Sequence, residues 1–464
     1  MAQNNVSIYS VIFVNTLICL LTMFYRLVGA DANLDQLLIV QSVSFLSLIL
    51  FHSYAWFKHG GSDLSLAYLF FLMVFIFNGG KALLFIFYQG YEEPFFTFFN
   101  GNDYQVVVRA FEYSYVGMFV MSSAMLLNMN EAPDKKTPAS DNQILAAKVT
   151  GILFLAVSLP AAIYDLQSML IKVISGGYFA LFSSEQSFGA SGIVKVLGFF
   201  LFPAFYITLI AFRENKLVIT SVWILAAIFT VAKLAMGARL VALVPFLIML
   251  SLWDVSIKQI GRKIIYLSGV GMVAVVFPAL SLLRVGKELD GEGGIGASIF
   301  TIIKEMSDSM SPLVWIMQRV PSKMDFQYGD SFLLATSTAI PNLFWDAHPA
   351  QKGSLALWLA REVDPWIAKQ GGGFGFSIFA EFYLNFYWFG MIILFLTTIL
   401  ISKLAKVREN PINSAFCFSC FLGLMLWPRG ELVAVARFIL WNVGIPWLCY
   451  QFLVSVFSRY NKEK

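Results

Sequence analysis

Four arginines and two glutamates stand where an apolar chain has least use for charge. Arg239 follows one apolar run and opens the next, Arg284 closes a run, Arg429 and Glu431 flank Gly430 between the last two runs, and Arg437 lies just inside the final one. Arginine is permanently charged and offers a planar pair of donors that matches phosphate, so four of them at one depth read as an anion grip. Each alone could instead reach out to lipid headgroups. Arg437 argues against that for the set, because about two helical turns separate it from Arg429 and it is expected to be drawn into the bundle.

The acids carry the second half of the chemistry. Glu381 follows Gly371-Gly372-Gly373 and Gly375, four glycines that permit left-handed turns, and lies inside an apolar segment. A carboxylate in such a segment is retained only with a partner, a water-filled cavity or a task. Glu381 therefore reads as a proton acceptor or as a strut paired with an arginine, the strut being the expectation, and Glu431 is the second candidate. His348, in Trp345-Asp346-Ala347-His348-Pro349, could act as acid, base or hydrogen-bond donor. Arg109 and Lys81 also lie inside apolar runs and read as partners for Glu112 or other interior polar groups. No Asp-x-Asp pair or His/Asp cluster argues for a metal, so neither metal nor cofactor is expected. Cys417 and Cys420 form a lone C-x-x-C, which reads as core packing.

The elements that must position these residues are membrane helices. With 464 residues, 58% hydrophobic and 13% charged, the chain is too apolar for a soluble domain. Its apolar runs of about 20 residues fit helices crossing a ~30 Å hydrocarbon core, not the shorter alternating strands of a barrel. The fold class is an all-α polytopic membrane protein with about 12 transmembrane helices. Expected spans run Ile8–Gly29, Leu37–Phe57, Leu64–Gln89, Tyr104–Leu127, Ile144–Tyr164, Ile193–Phe212, Leu217–Met236, Leu240–Trp253, Ile264–Leu283, Ile378–Ile401, Phe416–Trp427 and Val433–Phe457. The first reads as a retained helix, since no small-residue cleavage site follows it.

Basic residues set the orientation. Alternate connections hold Lys58, Lys135 and Lys136, Arg213 and Lys216, Lys258, Arg262 and Lys263, then Lys403, Lys406 and Arg408, and finally Arg459, Lys462 and Lys464. The remaining short connections carry Asp31, Asp35, Glu92 and Glu93. Both termini are therefore expected to be cytoplasmic. Residues 1–283 hold nine spans, with a short amphipathic helix and polar loop near 166–189. A large non-cytoplasmic loop with short helices fills 284–375, and 376–464 hold the last three spans and the C-terminus.

The run Tyr328-Gly329-Asp330-Ser331-Phe332, then Ile340-Pro341-Asn342-Leu343-Phe344-Trp345 and His348-Pro349, then Gly375-Phe376-Ser377 with Glu381, Tyr383-Leu384-Asn385-Phe386 and Gly390, resembles the Wzy-type O-antigen and exopolysaccharide polymerases. The chain departs from that pattern at Asp346-Ala347-His348, where a basic residue is usual, and at Phe386-Tyr387, where Phe-Gly is usual. Gly237-Ala238-Arg239 followed by Leu243 also looks like the Arg-x-x-x-Leu feature of O-antigen ligases.

The resemblance implies a C-type membrane glycosyltransferase at the periplasmic face of the bacterial inner membrane. Such an enzyme moves a growing glycan from undecaprenyl pyrophosphate onto a new carrier-linked repeat unit. Arg239, Arg284, Arg429 and Arg437 would then bind the pyrophosphate, and Glu381, Glu431 or His348 would serve the acceptor hydroxyl. The implied partners are the undecaprenyl-pyrophosphate-linked donor and acceptor, membrane lipids and a chain-length regulator protein, with no nucleic acid. The alternatives are an O-antigen ligase and a flippase for lipid-linked oligosaccharides.

Overall fold

A computed structural model describes residues 2–28, 34–87, 104–129, 138–176, 190–271, 295–340, 354–369, 373–406, 408 and 410–461. Among them every regular element is helical. Among the described residues ten helices are long and apolar enough to cross a membrane, and an eleventh span forms if the helices Leu66–Gly79 and Lys81–Phe87, bent by 64° at Gly80, count as one. The ninth expected span, Ile264–Leu283, is described only through the helix Arg262–Gly271; its remainder lies outside the described residues.

Two expectations about the helices change. Leu166 does not begin a separate amphipathic helix, because Asp141–Gly176 is one helix of 36 residues with Pro160 inside it. At ~1.5 Å per residue it is far longer than the hydrocarbon core requires. The expected span Ile378–Ile401 is present as Ile378–Ala405, but it is interrupted inside. A half-helix Ile378–Phe386 ends at Tyr387, a 3₁₀ turn follows, and a second helix runs Gly390–Ala405.

The segment read as a large loop is fastened into the bundle along much of its described length. Every residue of the short helix Ser311–Met317 is buried. Leu313, Val314, Trp315 and Ile316 share one apolar core with Val107, Tyr113, Phe379 and Phe382. Just before that helix, the buried ammonium of Lys81 meets Asp308 at 2.5 Å. Glu112 is paired with Arg26 at 2.9 Å instead, so Lys81 belongs to the loop and not to Glu112. Further along, Asp330–Ser337 lies against Leu432–Phe438, with Ala335 and Val433 buried between them.

Candidate active site

The half-helix Ile378–Phe386 is the frame on which the candidate residues hang. It starts where Ser377, in extended backbone, accepts the amide of Ala380 with its side chain, a standard N-cap. Gly375, two residues earlier, has φ +71°, and Phe376 donates its amide to the carbonyl of Arg429 at 3.3 Å. A side chain on Gly375 would put its Cβ 3.2 Å from that carbonyl oxygen. The glycine is therefore required twice, by its left-handed backbone and by the close approach of Arg429.

One turn in, Glu381 is completely buried, at 0% exposure. Its Oε1 accepts the Ser331 hydroxyl at 3.0 Å. Its Oε2 accepts the Trp427 indole N–H at 2.8 Å and the Leu432 amide at 2.8 Å. Asn385 completes the knot, donating to the Ser331 Oγ at 2.9 Å and accepting the Gly329 amide at 3.1 Å. The expected arginine partner is replaced by three neutral donors. The reason is local: the first free amide of the helix Leu432–Phe438 and the indole beside it both point at the carboxylate, as orphan N–H groups at a helix start require.

Glu431 does the equivalent work for a different element. Its Oε1 accepts the Ser354 hydroxyl at 2.7 Å and its Oε2 the Ala356 amide at 3.0 Å, so it caps the helix Leu355–Val363 from outside. Burial raises its pKa above the ordinary carboxylate value, opposed by those hydrogen bonds and by the charge of Arg437. The two acids thus staple two pieces of the long segment to the bundle, Glu381 at Ser331 and Glu431 at Ser354.

Of the four arginines, three are described. Arg429 is exposed at the end of the 3₁₀ turn Trp427–Arg429, beside Gly375. Arg437 is also exposed rather than drawn into the bundle. The inner side of its helix is filled by Val433, Leu432 and Ala436 packing on Ala335 and Leu334, which leaves the guanidinium outside. Arg239 opens the helix Arg239–Ser256 and lies 3.7 Å from Glu305. Contacts connect Arg239 to Arg429: Glu305 and Asp308 belong to one stretch, Asp308 holds Lys81, and Asn78 nearby donates to the carbonyl of Pro428 at 2.9 Å. Arg284 and His348 lie outside the described residues.

Sequence reasoning missed a cleft on the other side of the half-helix. It has a volume of about 480 Å³ and is lined by Arg109, Gln318, Ser322, Phe326, Tyr383 and Tyr387 among others. Arg109 is exposed there, and its charge also acts on Glu112, one of the partners expected for it. Tyr383 and Tyr387 stand four residues apart, a spacing that puts two side chains on one helical face and could have signalled the cleft. Tyr387 has φ +52° and ψ −136°, a conformation that glycine adopts freely and that costs a bulky residue of order 1–3 kcal/mol. Its carbonyl is held by the Tyr113 hydroxyl at 3.0 Å.

A family model described as O-antigen polysaccharide polymerase Wzy matches residues 8–464. No curated protein and no solved structure matches the chain.

Proposed function

The chain belongs to the Wzy family of O-antigen polysaccharide polymerases, and from that premise we propose that it transfers a growing glycan from undecaprenyl pyrophosphate onto a carrier-linked repeat unit at the periplasmic face of the inner membrane. The observation that carries the reading is a family match extending over 8–464, on a chain whose described residues hold ten to eleven candidate spans. An acceptor hydroxyl attacks the anomeric carbon of the donor. The bond from that carbon to the pyrophosphate oxygen breaks, its electron pair leaves with the pyrophosphate, and the hydroxyl proton passes to a base.

Departure of the pyrophosphate is the step that needs cations. Arg239, Arg429 and Arg437, with Arg284, are the groups we assign to it, since fixed donors aimed at developing charge lower the barrier without reorganising. Glu431 is the proposed base: it is 8% exposed where Glu381 is closed off, and burial raises its pKa toward the range a base needs. His348 is the alternative acceptor of that proton. Glu381 is assigned a positioning role, holding Ser331 and the start of the Arg437 helix in register.

Complementation in a host lacking the gene tests this reading. The deletion is expected to leave lipopolysaccharide with core plus one repeat unit, and the wild-type gene to restore the ladder. Arg429→Lys, which keeps charge and loses the planar fork, is expected to insert normally and to lower polymer yield on the order of 10-fold or more. Bare core with lipid-linked polymer accumulating in the deletion would make the chain a ligase, and absence of both products a flippase.

A further inference from the structure

Resting on that reading, we infer that the cleft behind the half-helix binds the saccharide part of a lipid-linked substrate, with Tyr387, Tyr383 and Arg109 as its recognition residues. The lining fits a pyranose oligosaccharide better than the other parts of such a substrate. A pyranose ring has an apolar face of C–H groups and a rim of hydroxyls. Flat aromatic rings with polar tips suit the face, and amide, hydroxyl and guanidinium groups suit the rim. The cleft offers Phe326, Tyr383 and Tyr387 for the first purpose and Gln318, Ser322 and Arg109 for the second. A polyprenyl tail would call for apolar walls throughout, whereas here Val106, Met317, Val320 and Pro321 share the lining with the polar groups. A pyrophosphate would call for several cations, and Arg109 is the one cation among the lining residues.

Two further observations point the same way. The aromatic rings are turned outward as well as inward: Tyr387 is 44% exposed and Tyr328, whose ring lies 6.2 Å from that of Phe326, is 80% exposed. The Tyr387 ring also packs against three others, Tyr383 at 5.5 Å, Phe326 at 5.5 Å and Trp388 at 6.4 Å. Holding a tyrosine in backbone that glycine would adopt more easily makes sense when the ring itself is used.

The placement also serves the reaction. Glu381 and Tyr383 leave the same half-helix toward different neighbours, Glu381 to Ser331 and Trp427, Tyr383 to Tyr113 and the cleft. The Arg429 turn lies beside Gly375, ahead of the half-helix, and Tyr387 follows its last residue, so the nine residues between set them at least about 13 Å apart. An extended oligosaccharide of a few sugars has that length, so the proposed subsite and the arginines are within reach of one substrate.

The test uses the full-length protein in lipid nanodiscs and the host's own repeat-unit oligosaccharide, free and carrier-linked. Tyr387→Gly is the informative variant, because it removes the ring while relaxing the backbone. Its KM for the carrier-linked unit is expected to rise roughly tenfold, equivalent to 1.4 kcal/mol of lost binding, with kcat changed much less. Saturation-transfer NMR with the free oligosaccharide is expected to give a signal with wild type that Tyr387→Gly and Arg109→Gln both weaken. An unchanged KM and an unchanged NMR signal in a folded Tyr387→Gly overturn the subsite and leave the polymerase reading standing. If Tyr387→Gly fails to fold, Arg109→Gln decides by the same two measurements. A wild-type protein that binds the free oligosaccharide yet polymerises nothing keeps the subsite and removes the polymerase reading. No binding by wild type removes the subsite.

Discussion

Glu381 separates two roles that a sequence cannot tell apart. Both a general base and an anchoring carboxylate are acids buried in apolar surroundings; only the partners differ. Here the partners are a hydroxyl, an indole and an amide, all within 3.0 Å, and no face of the carboxylate is open. Glu381→Gln keeps a carbonyl oxygen for Trp427 and Leu432. It turns the other oxygen into a donor facing Ser331, whose Oγ already accepts from Asn385. Hydrogen bonds to a charged acceptor contribute roughly 1.5–3 kcal/mol each, so the loss of charge and one mismatched pair should destabilise by about 1–3 kcal/mol. The expected outcome is a lower melting temperature in detergent, with polymer reduced in proportion to folded protein. A variant of wild-type stability that makes no polymer would put Glu381 in the chemistry and end the positioning role.

At the scale of the element, the half-helix Ile378–Phe386 is fixed at one end by Gly375 and at the other by Tyr387. Its start was legible: a glycine run, then Ser377 ahead of an apolar stretch, is a recognisable cap. Its end was not. Phe386-Tyr387-Trp388-Phe389 has no proline or glycine before Gly390, and an unbroken apolar run reads as a continuing span. The helix Ser311–Met317 is one of the short helices expected in the long segment, but its burial in the bundle was not legible, since seven residues are too few to register as a membrane element. Gly375→Ala tests the fixed start. A Cβ there meets the Arg429 carbonyl and forces an L side chain into left-handed backbone, which should cost about 1–2 kcal/mol and shift the Arg429 turn. Gly373→Ala is the control, because a Cβ at Gly373 meets nothing within 4 Å. Lower stability and shorter glycan are expected for the first only. Equal behaviour of the two would mean that the turn does not position Arg429.

On the scale of the whole molecule, the helical membrane class was legible in composition and run length, and the described residues hold ten to eleven candidate spans where about 12 were expected. The fastening of the long segment was not legible, because it depends on contacts between residues far apart in sequence, Ser331 with Glu381 and Ser354 with Glu431. Orientation rests on the distribution of lysine and arginine, which is a kinetic consequence of insertion and leaves no mark on packing. It has a direct test in the chain's own exposed residues. Ser322 is exposed beside the cleft, and Glu214 is exposed in a connection with Arg213 and Lys216. In a background with the four native cysteines replaced, Ser322→Cys should react with a membrane-impermeant maleimide in whole cells, and Glu214→Cys only after the inner membrane is opened. The reverse pattern would put the cleft and the Arg429 turn on the cytoplasmic side, away from any substrate already carried across the membrane. Labelling of Ser322→Cys should also fall when carrier-linked repeat unit is abundant, because a saccharide seated on Tyr387 and Tyr383 would cover the same opening.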